Sequence, residues 1–181
     1  MTEHITILDK QGVDDILEKM ALDILKNHED PKNVILIGIQ SRGVHLAKRI
    51  KDRIKKFKGA EVKTGDVDIT LYRDDWTRIS PHPLVHSTNI PFSLDRQNII
   101  LVDDVLFTGR TTRAAMDAMI DFGRPERIEL AVLVDRGHRE LPIQANYVGK
   151  AVETRRQDMV NVLLAEQDGE DRVILEKSET L

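Results

Sequence analysis

Cysteine is absent from all 181 residues. That one omission excludes disulfide scaffolds, thiolate zinc sites, iron–sulfur clusters and cysteine nucleophiles together. Long apolar runs are missing too. Stretches such as Val34-Ile35-Leu36-Ile37 fall far short of the ~20 residues that cross a bilayer. The N-terminus, Met1-Thr2-Glu3-His4, lacks the basic-then-apolar layout of a signal peptide, so a cytoplasmic protein with no membrane partner is expected. A basic excess is also lacking: Lys plus Arg is 27 against 31 Asp plus Glu, a net charge of −4. Any nucleic-acid role must therefore rest on a local patch. The chain carries no internal repeat and no low-complexity tract.

What is present describes one folded unit, 1–181. Hydrophobic residues make up 40% and charged residues 32%, and a domain of this length buries roughly 70% of its unfolded surface without needing metal or disulfide. Ile16, Leu17, Met20, Ala21, Ile24 and Leu25 recur at helical spacing behind Asp9, a plausible N-cap. Val34 to Ile39 is apolar on both faces and predicts a central parallel strand. The turn Gly38 to Gly43 leads into a second helix marked by Val44, Ala47, Ile50 and Ile54. Its basic face, Lys48 to Lys58, reads as a solvated surface.

Val67, Ile69 and Leu71 alternate like a strand, and a stretch with little periodicity follows from Arg73 to Asn98. So long a connection in a compact domain predicts a lid or hairpin. Within it His82 and His86 stand four apart, but Pro81 and Pro83 argue against a helix that would turn them into a metal pair. Ile99 to Val102 is a second fully buried strand, ending at Asp103-Asp104. A helix then carries Ala115, Met116, Met119, Ile120 and Phe122, and Ile128 to Val134 gives a further strand. Tyr147 to Val148, Met159 to Leu164 and Val173 to Leu175 read as short strands of a C-terminal cap. Alternating strands and helices predict an α/β fold with a mostly parallel sheet flanked by helices. Ligands bind such sheets beyond the carboxyl ends of the strands. The turns at 40–43 and 103–111 both fall there.

The second turn carries the chemistry. Two successive carboxylates, Asp103 and Asp104, can accept from vicinal hydroxyls or position a hydrated magnesium ion. Thr108 to Thr112 then supplies hydroxyls and backbone N–H groups at a helix N-terminus, donors suited to a phosphate dianion, and Gly109 lets the backbone come close. Acceptors for a sugar diol and donors for its phosphate, one short turn apart, are what a sugar phosphate requires. The alternative reading, acids that merely cap the next segment, leaves two adjacent carboxylates repelling each other without reward. A nucleoside-triphosphate reading lacks its partner, since no G-x-x-x-x-G-K-[ST] occurs.

The run Ile99 to Thr111 resembles the phosphoribosyl-pyrophosphate (PRPP) motif of the type I phosphoribosyltransferases. Val134-Asp135-Arg136-Gly137-His138-Arg139-Glu140-Leu141-Pro142-Ile143 and Asp68 to Asp75 narrow the resemblance to the bacterial pyrimidine operon regulators of the PyrR family. Similarity runs from about 5 to 162. It implies a core at about 5–164, a small hood built from N-terminal and C-terminal segments, and a flexible loop at about 73–92 that begins at Tyr72 and Arg73 and closes over substrate. It also implies transfer of a phosphoribosyl group to uracil, giving UMP and diphosphate, with magnesium bound mainly through PRPP. Asp103 and Asp104 would hold the ribose. Val105, Leu106, Phe107, Thr108, Gly109, Arg110, Thr111 and Thr112 would form the phosphate loop, and Ser41, Arg42 and Gly43 the diphosphate loop. Arg136, Val148 and Val160 would lie near the base. A homodimer or homotetramer is implied.

Members of that family also bind the leader mRNA of pyrimidine operons under control of UMP and UTP, and the rival reading is a protein that is chiefly such a regulator. Lys19, His138, Arg139 and Lys150 match the RNA face. Other positions depart from the family's pattern. The first helix carries Glu18, Leu22 and Asn27 where Thr, His and Arg are usual. Gln40 replaces the customary Lys, and Gln144 the customary Arg. Each lost cation weakens attraction to phosphate, so RNA binding is expected to be weak and salt-sensitive.

Overall fold

The computed structural model describes residues 3–74 and 88–178. Asp75, Trp76, Pro81, His82, Pro83 and His86, and with them much of the expected lid, lie outside the described residues.

At the centre is β2 (Val34–Ile39), buried at every position. With β3 (Lys63–Val67), β4 (Asn98–Leu106), β5 (Arg127–Asp135) and β6 (Tyr147–Ala151) it forms a parallel sheet in the order β3-β2-β4-β5-β6. Two apolar cores explain why the inner strands lack alternation. Leu36, Ile100, Ala131 and Leu133 pack beneath α1 (Lys10–Asn27) and α2 (Arg42–Lys58), while Ile35, Ile37, Leu101 and Val132 pack against α3 (Arg110–Ile120). Asp9 caps α1 as its position suggests, its Oδ1 accepting from the Gly12 N–H at 2.8 Å. A second, antiparallel sheet is made from β1 (Glu3–Leu8), β7 (Met159–Leu163) and β8 (Arg172–Lys177), in the order β1-β8-β7. The short helix α4 (Ala165–Asp168) links its last two strands.

Four local expectations change. The strand read over Val67 to Leu71 stops at Val67, because Asp68 Oδ1 accepts from the Thr70 N–H (2.8 Å) and hydroxyl (2.6 Å) and winds Thr70–Tyr72 into a 3₁₀ turn. Leu71 is left 61% exposed. β4 does not end at the acids; its ladder with β5 continues to Leu106 opposite Asp135. Tyr147 and Val148 belong to the main sheet as its parallel edge strand, not to the C-terminal cap. The basic face of α2 is only partly solvated: Arg49 and Arg53 reach other elements, and Lys51 and Lys55 pair with Glu61. Among the described residues no helix is long and apolar enough to cross a membrane.

Candidate functional site

The turn between β4 and α3 owes its shape to the segment that follows β5. Arg136 N–H donates to the Leu106 carbonyl (3.0 Å), Arg139 Nη1 to the Phe107 carbonyl (2.8 Å), and Glu140 N–H to the Thr108 carbonyl (2.9 Å). Three successive carbonyls of the turn are thereby fixed, and Thr108 Oγ1 accepts from the Arg110 N–H at 3.3 Å. Gly109 precedes α3 at φ 91°, a left-handed conformation that suits glycine, and a β-carbon there would lie 3.3 Å from the Ile143 side chain. Arg113 N–H closes the first helical bond on the Gly109 carbonyl. The amides of Thr111 and Thr112 precede any helical carbonyl that could bond them. They help to line a cavity of about 320 Å³ bounded by Arg73, Asp74 and residues 105–112. A helix N-terminus with hydroxyls around it is an anion site.

Asp103 and Asp104 stand in β4 immediately before this cavity and are not part of its lining. Each carboxylate accepts from the next backbone N–H: Asp103 from Asp104, and Asp104 from Val105, both at 2.9 Å. Asp103 is 7% exposed. Burial first, then the charge of Asp104, holds its carboxyl well above the usual carboxylate range. Such a desolvated acid gains from a hydroxyl or a cation brought to it.

The other turn, Ser41 to Gly43, sits beside the acids because Gly43 has no side chain. A β-carbon there would lie 2.2 Å from the Val102 carbonyl oxygen and 3.4 Å from Asp103 Cα. The Gln40–Ser41 peptide is cis. Arg42 does not project freely; its Nη2 donates to Asp168 at 3.0 and 3.2 Å, and Ser41 Oγ donates to Gln167 Oε1 at 3.4 Å. The turn is thus tied to α4 of the small sheet. Arg49 secures that helix, bonding Glu166 (2.9 and 2.6 Å) and Asp171 (2.7 Å).

Phe107 is enclosed by cations. The Arg136 guanidinium lies 4.0 Å above its ring and that of Arg156 5.9 Å away, with His138 edge-on at 6.0 Å. Arg136 is buried, and desolvation draws its pKa below the ordinary value. It donates to the carbonyls of Arg155 and Arg156. Arg110 reaches Glu140 (2.7 Å) and Asp74, and Arg156 also pairs with Glu140, whose carboxyl these two cations pull below its usual range.

Several predicted residues stand elsewhere. Tyr72 donates to Asp121 just beyond the far end of α3 and does not line the cavity. Val148 is 38% exposed on the edge strand opposite Val132, three positions short of Asp135, whereas Val160 packs on the core beneath α1 and α2. Of the residues matched to an RNA face, Arg139 is turned inward, bonding Asp135, the Phe107 carbonyl and the Ile143 carbonyl, and His138 bonds the Thr154 carbonyl. Lys19 and Lys150 are exposed on α1 and β6, with Lys150 Nζ donating to the Ile7 carbonyl at 3.2 Å. Asp168, Gln167, Glu140 and Arg156 were not legible as site residues. Asp168 lies 126 positions from Arg42 in a charged stretch that reads as ordinary surface.

Comparison with known proteins agrees with this geometry. The model of the phosphoribosyl transferase domain matches residues 5–162. A "Bifunctional protein PyrR" from Desulfosudis oleivorans is 56% identical over 176 residues, covering 97% of both chains. Another of that name from Clostridioides difficile is 47% identical, covering 98% of this chain and 100% of its own. A hypoxanthine-guanine phosphoribosyltransferase structure from Bacillus anthracis superposes with a TM-score of 0.70 at 17% identity, covering 95% of each chain, which establishes a shared fold. The chain therefore belongs to the phosphoribosyl transferase domain family, with the type I fold, and within it to the bifunctional PyrR proteins.

Proposed function

We propose that this chain transfers the phosphoribosyl group of PRPP to uracil, releasing UMP and diphosphate, and that it also binds pyrimidine-operon leader mRNA in response to UMP and UTP. The observation that carries the enzymatic reading is the cavity at the start of α3. Its Thr111 and Thr112 amides have no helical acceptor, and Arg136, Arg139 and Glu140 hold the loop's carbonyls in place.

Thr108 to Thr112 hold the 5′-phosphate through the N–H groups and hydroxyls of that turn. Asp103 and Asp104 accept from the ribose hydroxyls, and Asp104, next to the loop, stabilises the positive charge that develops at the anomeric carbon. Arg42 and the Ser41–Gly43 turn receive the diphosphate. Arg136 and Phe107 wall the base side, and backbone groups read uracil's edge. Arg73 and Asp74 border the cavity. Magnesium fits the hard oxygen donors here, since the Asp103 carboxyl is desolvated beside a second acid. When bound with PRPP it neutralises diphosphate charge.

The relatives' description as bifunctional supports the RNA role, as do the exposed Lys19 and Lys150. Leader RNA would meet these two and not the inward-facing Arg139. A homodimer or homotetramer in the cytoplasm completes the reading.

The test is radiolabelled uracil with PRPP and magnesium, scored against orotate, hypoxanthine and guanine. UMP is the expected product, and a purine or orotidine nucleotide alone would overturn the assignment. Asp104→Asn should reduce UMP synthesis by at least about 100-fold while the far-ultraviolet spectrum stays unchanged. An unaltered rate would remove the acids from the mechanism.

A further inference from the structure

Arg42, the cation assigned to the leaving diphosphate, already has an acceptor in the protein. Its Nη2 lies 3.0 and 3.2 Å from the two oxygens of Asp168. Its Nε is buried and meets no acceptor among the described residues, so the guanidinium keeps a donor for something further. Asp168 is held from behind. Its Oδ2 accepts from the Leu164 N–H at 2.8 Å, and Arg49 fixes the same helix through Glu166 and Asp171. The carboxylate is rigid, and the arginine, on a longer side chain, is the partner that moves.

Resting on the reading that Arg42 receives diphosphate, we infer that Asp168 competes with diphosphate for the Arg42 guanidinium. When the polyanion arrives, Arg42 must divide or transfer its hydrogen bonds, and a fixed negative charge remains within a few ångströms of a like-charged product. Both effects weaken the hold on diphosphate and favour its departure after transfer. If Asp168 only positioned Arg42, its loss would weaken diphosphate binding. Competition predicts the opposite sign.

Asp168→Asn separates the two, because the amide oxygen still accepts from the Leu164 N–H while the charge is gone. Magnesium diphosphate is titrated calorimetrically into the full chain, and its inhibition against PRPP is measured in parallel. Competition predicts roughly tenfold tighter diphosphate in Asp168→Asn, the size of effect a single close like charge exerts. Glu166→Gln, which loosens the same helix without touching Arg42, should lower Tm and leave diphosphate affinity unchanged. Unaltered or weaker diphosphate binding in Asp168→Asn overturns the inference, as does equal tightening in Glu166→Gln. Arg42→Gln locates the failure. If it leaves diphosphate affinity intact, the assignment of Arg42 falls and the inference with it. If it weakens binding while Asp168→Asn does not tighten it, competition alone falls.

Discussion

Replacing Gly43 by alanine challenges the seating of the Ser41–Gly43 turn directly. The added β-carbon would stand 2.2 Å from the Val102 carbonyl oxygen and 3.2 Å from its carbonyl carbon. Relaxed carbon–oxygen contacts lie near ~3.3 Å, so α2 or β4 must give way by about 1 Å. No rotamer can absorb this, since backbone meets backbone and β4 is paired on both sides, with β2 and β5. Overpacking of cores costs roughly 1–3 kcal/mol, and a backbone clash belongs at the upper end, about 3 kcal/mol. In a chain of 181 residues that lowers Tm by about 6–12 °C. The same displacement carries Arg42 with it, and an error of about 1 Å in a substrate-positioning group can cost about 100-fold in rate. Calorimetry and steady-state kinetics in PRPP measure the two effects. Gly59→Ala is the control: its β-carbon meets nothing within 4 Å, so it should cost only about 1–2 kcal/mol of left-handed strain and leave the kinetics alone. A Gly43→Ala protein with wild-type Tm and wild-type KM for PRPP would refute the claim that β4 fixes this turn.

Asp103→Asn should raise Tm while abolishing turnover, because the folded state holds the Asp103 carboxyl well above its ordinary range, through burial and then Asp104. A raised acid destabilises the fold only where it would otherwise ionise, so the gain is absent below about pH 4 and grows as pH rises toward the folded value. A Tm advantage that persists unchanged at pH 3 would contradict that origin. Arg49→Met leaves Asp171, whose side chain is 7% exposed, without its cation, and should cost about 3–5 kcal/mol in urea unfolding near neutral pH. Arg49 holds the Glu166 carboxyl below its ordinary value. That part of the loss is complete above about pH 5 and disappears as pH falls through the depressed folded value, so an equal deficit at pH 3 and pH 7 counts against it. Burial and then the bond to Glu129 push Tyr147 up to about 12. Its tyrosinate absorbance should therefore appear only as the protein unfolds in alkali. Tyr147→Phe should cost about 1 kcal/mol and leave catalysis untouched.

The inner sheet was legible because its residues obey one rule. Val34 to Ile39 and Ile99 to Val102 are apolar on both faces, and only a strand covered on each side demands that. The turn proposed for phosphate could be picked out because its donors and acids are contiguous. The strand read through Leu71 failed since a single Asp68 carboxylate captured two local donors, a choice that alternation cannot reveal. β6 was misplaced because a short edge strand containing Gly149 carries no pattern saying which sheet it joins. The bonds of Arg139 to Asp135, Phe107 and Ile143 could not be read from the sequence, where only its match to the family was visible. Pairings such as Arg42 with Asp168 have no local signature, since only the closure of the small sheet brings them together.

That closure has a kinetic corollary. Glu3 lies opposite Lys177, so β1 waits for a strand that is made only after the whole parallel sheet. The parallel sheet can assemble in the meantime, but contacts so distant in sequence form slowly. Catalytic competence should therefore lag behind the burial of the main cores during synthesis. A nascent chain arrested before α4 would keep the turn at the start of α3 without the Asp168 carboxylate that meets Arg42.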